Sequence, residues 1–180
     1  MSEKLRALPA AEVHDLPPAD ALRAVGLRVT APRTATLEAL ATQPHSDADD
    51  LAATVRNRLG SVSRQAVYDV LHALEDAHLV RSIRLEGRSA RYELNRHDNH
   101  HHLVCKRCDA IVDIPCAVGH APCLVPPDHL GYDIEIAEVL FRGLCPSCQG
   151  VSGPPTCPLS DHSVGSPSTT QSSRTSAPPA

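Results

Sequence analysis

The sequence predicts an α+β protein in two parts, a helical half closed by a β-hairpin and a smaller strand-rich half held together by metal. Three observations predict it. Apolar residues recur at helical spacing in successive segments up to Leu74, they alternate at strand spacing from residue 79 on, and two Cys-x-x-Cys pairs, Cys105/Cys108 and Cys145/Cys148, bracket the second half. Phe occurs once, Tyr three times and Trp not at all, so the cores must be built from Leu, Val, Ile and Ala. A chain of 180 residues with that composition is short of core and gains from a metal staple.

Residues 1–18 are polar and proline-containing and are expected to fray. A short helix is predicted over Asp20–Val25, closed by Gly26. Thr30 suits the N-cap and Pro32 the first turn of the next helix, whose apolar side is Leu37 and Leu40. Pro44-His45-Ser46 breaks the pattern, and a third helix starts near Asp47 with Leu51, Ala52, Val55 and Leu59 on one face and Gly60 as its stop. Ser63 caps a fourth helix carrying Val67, Val70, Leu71 and Leu74 inward and Arg64, Gln65 and Tyr68 outward. Leu79–Leu85, the turn Glu86-Gly87-Arg88 and Ala90–Leu94 read as a hairpin. Three helices followed by a two-stranded hairpin make a winged helix-turn-helix over 19–94. The fourth helix of the chain, the last before the hairpin, would enter the major groove of double-stranded DNA, with Arg64 and Gln65 as long donors near the leading end.

The second half, 95–149, is predicted to hold a strand over Ala110–Ile114, a short helix or loop over Cys116–Val125 and a strand over Tyr132–Phe141. Such a small sheet could pair its edge with a second copy. Residues 150–180 turn to Pro, Ser, Thr and Gly, a composition expected to stay disordered.

Two kinds of metal site are written into the second half. Cys105, Cys108, Cys145 and Cys148 have the spacing that presents four thiolates tetrahedrally to one structural Zn²⁺. The alternatives are disulfides or a redox pair. The chain opens without an apolar signal-peptide run, so a cytoplasmic, reducing setting is expected, and a thioredoxin-like motif would leave one pair idle. The cluster His97, His100, His101 and His102 is of another kind. On a strand His100 and His102 share one face and His101 takes the other, and the carboxylates Glu93 and Asp113 flank the cluster. Mixed imidazole and carboxylate suits Fe²⁺, Mn²⁺, Zn²⁺ or Ni²⁺ in a five- or six-coordinate site.

No apolar run is long enough to span a bilayer, so a soluble protein is expected. The net charge of −4 argues weakly against nucleic acid, but Ala19–Tyr92 carries ten Arg against nine acidic residues, which places the basic balance in the first half. A metallohydrolase reading of the histidines finds no assignable general base or substrate pocket and leaves the helical half unexplained, so no enzyme is expected.

Over residues 22–149 the chain resembles the ferric uptake regulator (Fur) family of transcriptional repressors. The resemblance is carried by Gly-Leu-Arg-Val-Thr-x-Pro-Arg at 26–33, Val-Tyr-Asp-Val-Leu at 67–71, His-His-His-Leu-Val-Cys-x-x-Cys at 100–108 and Gly-Leu-Cys-Pro-x-Cys at 143–148. The segment Cys-Ala-Val-Gly-His-Ala-Pro-Cys-Leu at 116–124 further resembles the actinobacterial branch that represses a neighbouring catalase-peroxidase gene. The resemblance implies a homodimer that binds an A/T-rich palindromic operator when loaded with Fe²⁺ or Mn²⁺. It maps the sensing site to His45, Glu93, His100, His102 and Asp113, with Asp113 the residue type found in peroxide-sensing members, where bound Fe²⁺ leads to oxidation of a ligand histidine. It also implies minor-groove contact by Arg28 and contact of Tyr68 with thymine methyls.

A third metal site of some members would use His101, His120 and Glu138, although His120 replaces a usual Glu and Ala137 a usual His. His78 stands where Gly is usual, and a positive φ there would cost roughly 1 kcal/mol. Two alternatives stay open: a zinc- or iron-uptake repressor without peroxide sensing, or a thiol-based redox repressor using Cys116, Cys123 or Cys157.

Overall fold

The computed structural model describes residues 13, 15–118, 122–134 and 137–150. The expected segments at 1–12 and 151–180, with Cys157, and likewise His120, lie outside the described residues. Mixed helix and sheet is observed, in line with the α+β expectation. In chain order the elements are α1 (Pro18–Ala24), α2 (Ala31–Thr42), β1 (Ser46–Asp47), α3 (Ala48–Leu59), α4 (Arg64–Asp76), β2 (Val80–Ile83), β3 (Arg91–Leu94), β4 (His100–Cys105), β5 (Ile111–Pro115), β6 (Leu140–Gly143) and a 3₁₀ turn at Pro146–Cys148.

Local chemistry sets the helix ends. The Asp47 carboxylate accepts from the backbone N–H groups of Asp49 and Asp50, and the Ser63 hydroxyl accepts from Ala66, so α3 and α4 each start on a side-chain cap. Thr30 sits at the N-cap of α2 but makes no side-chain cap bond there. Gly26, at φ 75°, ends α1 with paired bonds from Gly26 N–H to the Arg23 carbonyl and from Leu27 N–H to the Leu22 carbonyl.

His78 makes the equivalent turn after α4, with His78 N–H on the Glu75 carbonyl and Leu79 N–H on the Leu74 carbonyl, at a φ of 56°. A side chain in this left-handed region is strained, so His78→Gly is expected to stabilise the helical half by about 1 kcal/mol. A higher thermal midpoint with unchanged metal content checks it.

Leu22, Leu40, Leu51, Val55, Val67, Leu71, Leu74 and Val80 are almost fully buried in one core shared by α1–α4 and the first sheet. Each buried side chain of this kind contributes about 1.5–3 kcal/mol of transfer free energy. Leu59, expected on the inner face of α3, is 37% exposed, because the last turn of that helix runs past the core.

The first sheet has the order β1-β3-β2 and the second β5-β4-β6, with β4 antiparallel to β5 and parallel to β6. Two features depart from the expectations. The hairpin gains a third strand, the two-residue β1, paired as Ser46↔Tyr92 and Asp47↔Arg91. Among the described residues the strand expected over 132–141 is observed only at its end, as Leu140–Gly143, and those of 116–125 form loop rather than helix. A small apolar cluster joins the halves: Ile83 and Leu85 from the hairpin pack with Val104, Ile111 and the half-buried Leu140. Arg88–Asp109 at 3.3 Å adds an ion pair across the same junction.

Candidate metal centres and nucleic-acid face

Cys105 ends β4, Cys108 follows in the tight turn that Asp109 closes at a φ of 58°, and Cys145 and Cys148 flank the 3₁₀ turn after β6. The parallel pairing Cys105↔Gly143 brings the two ends side by side. All four Sγ atoms lie within 4.8 Å of one another, and Cys108 Sγ is 3.8 Å from Cys145 Sγ. A tetrahedron with Zn–S of about 2.3 Å has edges of about 3.8 Å, so the cage fits Zn²⁺. Burial opposes ionisation of Cys105, yet the backbone N–H groups of Cys145, Cys108 and Arg107 outweigh it and hold the thiol at about 6, favouring the thiolate that a metal requires.

The second cluster forms where the halves meet. Because β1 pairs with β3, His45, at φ 60° just before β1, is set beside Glu93. The register His102↔Asp113 brings the carboxylate of β5 to the imidazole of β4. His45 Nε2 is 2.8 Å from Glu93 Oε2 and 2.9 Å from Asp113 Oδ1, and His102 Nε2 is 3.3 and 3.4 Å from the same two oxygens. Neighbouring donors around an ion at about 2.1 Å sit about 3.0 Å apart in an octahedron and about 3.4 Å apart in a tetrahedron, so these edges fit a divalent cation. His100 stands at the margin: its Nε2 is 3.5 Å from Glu93 and 3.8 Å from Asp113, while Asp98 takes its Nδ1 at 2.9 Å.

Arg81, which the sequence reading did not single out, lies in this cluster. Its guanidinium bonds both Glu93 and His100, a consequence of the cross-strand pairing Arg81↔Glu93. The hairpin register was the available signal, since it places a cation opposite an acid. Without a metal, Arg81 and a proton on His45 provide the positive charge. Arg81→Met is therefore expected to tighten divalent-metal binding by about tenfold, because the ion no longer competes with a guanidinium for Glu93. Isothermal titration with Mn²⁺ checks it.

The titration behaviour of the site follows from the same contacts. Burial favours the neutral His45, but hydrogen bonds and charge from Asp113 and Glu93 outweigh it and lift its pKa from 6.5 to about 9. Burial alone would raise Glu93, yet His100, His102, His45 and Arg81 hold it far below the usual carboxylate range. In the metal-free protein the His45 contribution to stability is fully present below 6.5 and lost as pH rises through about 9. Metal binding must expel that proton, so affinity is expected to rise about tenfold per pH unit up to about 9 and then level off. The slope of log affinity against pH measures it.

On the outer face of α4, Arg64 is held by Asp49 at 2.6 Å and lies over the Tyr68 ring at 5.6 Å, and Gln65 donates to Asp69 at 2.8 Å. Arg28 is exposed in the turn between α1 and α2, where its carbonyl accepts from Arg33. Of the third set, His101 is buried and Glu138 exposed. No helix among the described residues is long and apolar enough to cross a membrane.

The sequence profile of the Ferric uptake regulator family matches residues 24–117. Transcriptional regulator FurA of Mycobacterium tuberculosis is 55% identical over 130 residues, which are 72% of this chain and 88% of that protein. The chain belongs to the ferric uptake regulator family. It is thus a Fur-family transcriptional regulator. At lower identity, 27% over 134 residues (71% of this chain, 85% of the relative), it is similar to the peroxide-responsive repressor PerR of Staphylococcus epidermidis. Among solved structures, the Fur of Pseudomonas aeruginosa with manganese is similar in fold, with a TM-score of 0.57 at 23% identity, covering 73% of this chain and 99% of that one.

Proposed function

We propose that this chain is a homodimeric, metal-dependent repressor whose DNA-reading half is positioned by a cation held between the two halves. The observation that carries the reading is the cluster of His45 and Glu93 from the first half with His102 and Asp113 from the second. His45 and Glu93 come from the first sheet, and His102 and Asp113 from the second. A cation shared by all four favours one arrangement of the halves through its extra affinity for that arrangement. Residues 19–94 act as a winged helix-turn-helix, with Arg64, Gln65 and Tyr68 of α4 in the major groove and Arg28 in the minor groove. Residues 95–149 form the dimerisation unit, with Zn²⁺ in the four-cysteine cage.

Asp49 and Asp69 hold Arg64 and Gln65 in check until phosphate and base edges replace them. The apolar patch of Leu103 and Phe141, register partners and both nearly half exposed, together with the open edges of β5 and β6, supports pairing with a second copy.

Fe²⁺ or Mn²⁺ fits the mixed oxygen and nitrogen donors, and Asp113 among those donors favours the peroxide-sensing branch acting on a catalase-peroxidase gene. Bound Fe²⁺ would supply reactivity toward peroxide, and His100 and His102 would be the residues oxidised. The test is binding of the dimer to an A/T-rich palindromic promoter element with Fe²⁺, Mn²⁺ and Zn²⁺, each before and after peroxide. Metal-dependent binding, lost after peroxide with Fe²⁺ alone, supports the reading. Equal binding with no metal overturns it, and binding that peroxide never affects leaves a plain uptake repressor.

A further inference from the structure

The geometry points to a third metal site, made by His101, Cys116 and Cys123, that takes a thiophilic divalent cation, Zn²⁺ before Fe²⁺ or Mn²⁺. The family resemblance implies His101 with His120 and Glu138, and treats the two cysteines as separate thiols. Folding brings His101 to the two cysteines instead. His101 points to the face of β4 opposite His100 and His102, Cys116 leaves β5 with its N–H on the Asn99 carbonyl, and Cys123 lies at the same place.

The Nε2 of His101 and both Sγ atoms lie within 4.8 Å of one another. Cys123 Sγ is 3.5 Å from His101 Nε2. With Zn–S of about 2.3 Å and Zn–N of about 2.05 Å, a tetrahedral S–Zn–N edge is about 3.6 Å, so the pair already stands at ligand separation. His101 is buried and its ring meets Phe141 edge to face at 6.2 Å, which fixes the imidazole from behind. No disulfide joins the cysteines.

Two soft sulfurs and an imidazole select against the hard-donor preference of Fe²⁺ and Mn²⁺, so this site and the His45 cluster would discriminate between metals rather than compete for one. The site also has mechanical sense. Loop residues Val118, Leu124, Val125 and Leu130 are exposed and give the loop little apolar anchorage, and a cation here would tie it to β4. Because His101 sits between His100 and His102 in sequence, filling the site braces the strand that bears both sensing imidazoles.

The full chain, with zinc already in the four-cysteine cage, can be titrated anaerobically with Co²⁺ and followed by the near-ultraviolet sulfur-to-cobalt charge-transfer band. The His45 cluster contains no sulfur, so it cannot give this band. We expect the band in the unaltered chain and in Asp113→Ala, and its loss in Cys116→Ser/Cys123→Ser. Absence of the band in the unaltered chain, or its survival in the double substitution, overturns the proposal. A second measurement needs no variant: Zn²⁺ beyond the cage should slow maleimide labelling of Cys116 and Cys123 together by about tenfold or more. Unchanged labelling of either cysteine counts equally against the site.

Discussion

Removal of zinc from the four-cysteine cage, by a strong chelator or by Cys105→Ser, is expected to unfold the β4–β6 half and leave α1–α4 standing. The reason is a disparity in core. The first half buries a cluster running from Leu22 through Leu74 to Tyr92. Apart from the junction with Ile83 and Leu85, the described residues of the second half bury little besides Val104, Ile111, His101, His102 and the cysteines with Ala110, while Leu103, Phe141 and Leu144 are exposed. Zinc binding in such a cage contributes roughly 10 kcal/mol or more, comparable with the whole stability of a small domain. Hydrogen exchange with and without chelator reads the result directly: protection lost in residues 100–115 and 140–148 and retained in α2, α3 and α4.

Asp113→Ala has the second large effect. Its carboxylate is the one the second half brings to His45, and its side chain is 46% exposed, so removal leaves no buried vacancy and the fold survives. Affinity for Mn²⁺ should fall by about a hundredfold or more, which is about 2.7 kcal/mol, with zinc content and thermal midpoint unchanged. Metal-dependent promoter binding should disappear with it. His100→Ala is expected to do the same more weakly, since His100 lies at the edge of the cluster and is engaged by Asp98 and Arg81.

Much of this was legible before any coordinates, because it is local. Asp47, Ser63, Gly26 and Gly60 mark helix ends by their own chemistry, and the periodicity of Val67, Leu71 and Leu74 needs no tertiary partner. What was illegible depends on pairing across long separations. Strand β1 is two residues long and has no period to detect, so the residues alone gave no way to place His45 beside Glu93, and only the family resemblance did. Arg81 joins the His45 cluster through hairpin register. The parallel alignment of β6 with β4 is non-local, and the sequence suggested a longer strand there, over 132–141. The meeting of His101 with Cys116 and Cys123 depends on the path of a loop that apolar pattern does not encode.

Without metal the halves already meet through the apolar cluster of Ile83, Leu85, Val104, Ile111 and Leu140 and through His45 against Asp113. A divalent cation with donors from both halves would add several coordinate bonds to these ties, and the gain would fall on the arrangement that brings the donors together. The separation of the two α4 helices in a dimer must match half-sites about 34 Å, or a multiple of it, apart.

The most direct test is therefore a single Mn²⁺ titration of the zinc-loaded dimer in which promoter affinity and solution scattering are recorded at every point. The account predicts that affinity rises and the particle closes with one shared midpoint, and that Asp113→Ala shows neither change. Equal promoter affinity at the start and end of the titration, with an unaltered scattering profile, would contradict it.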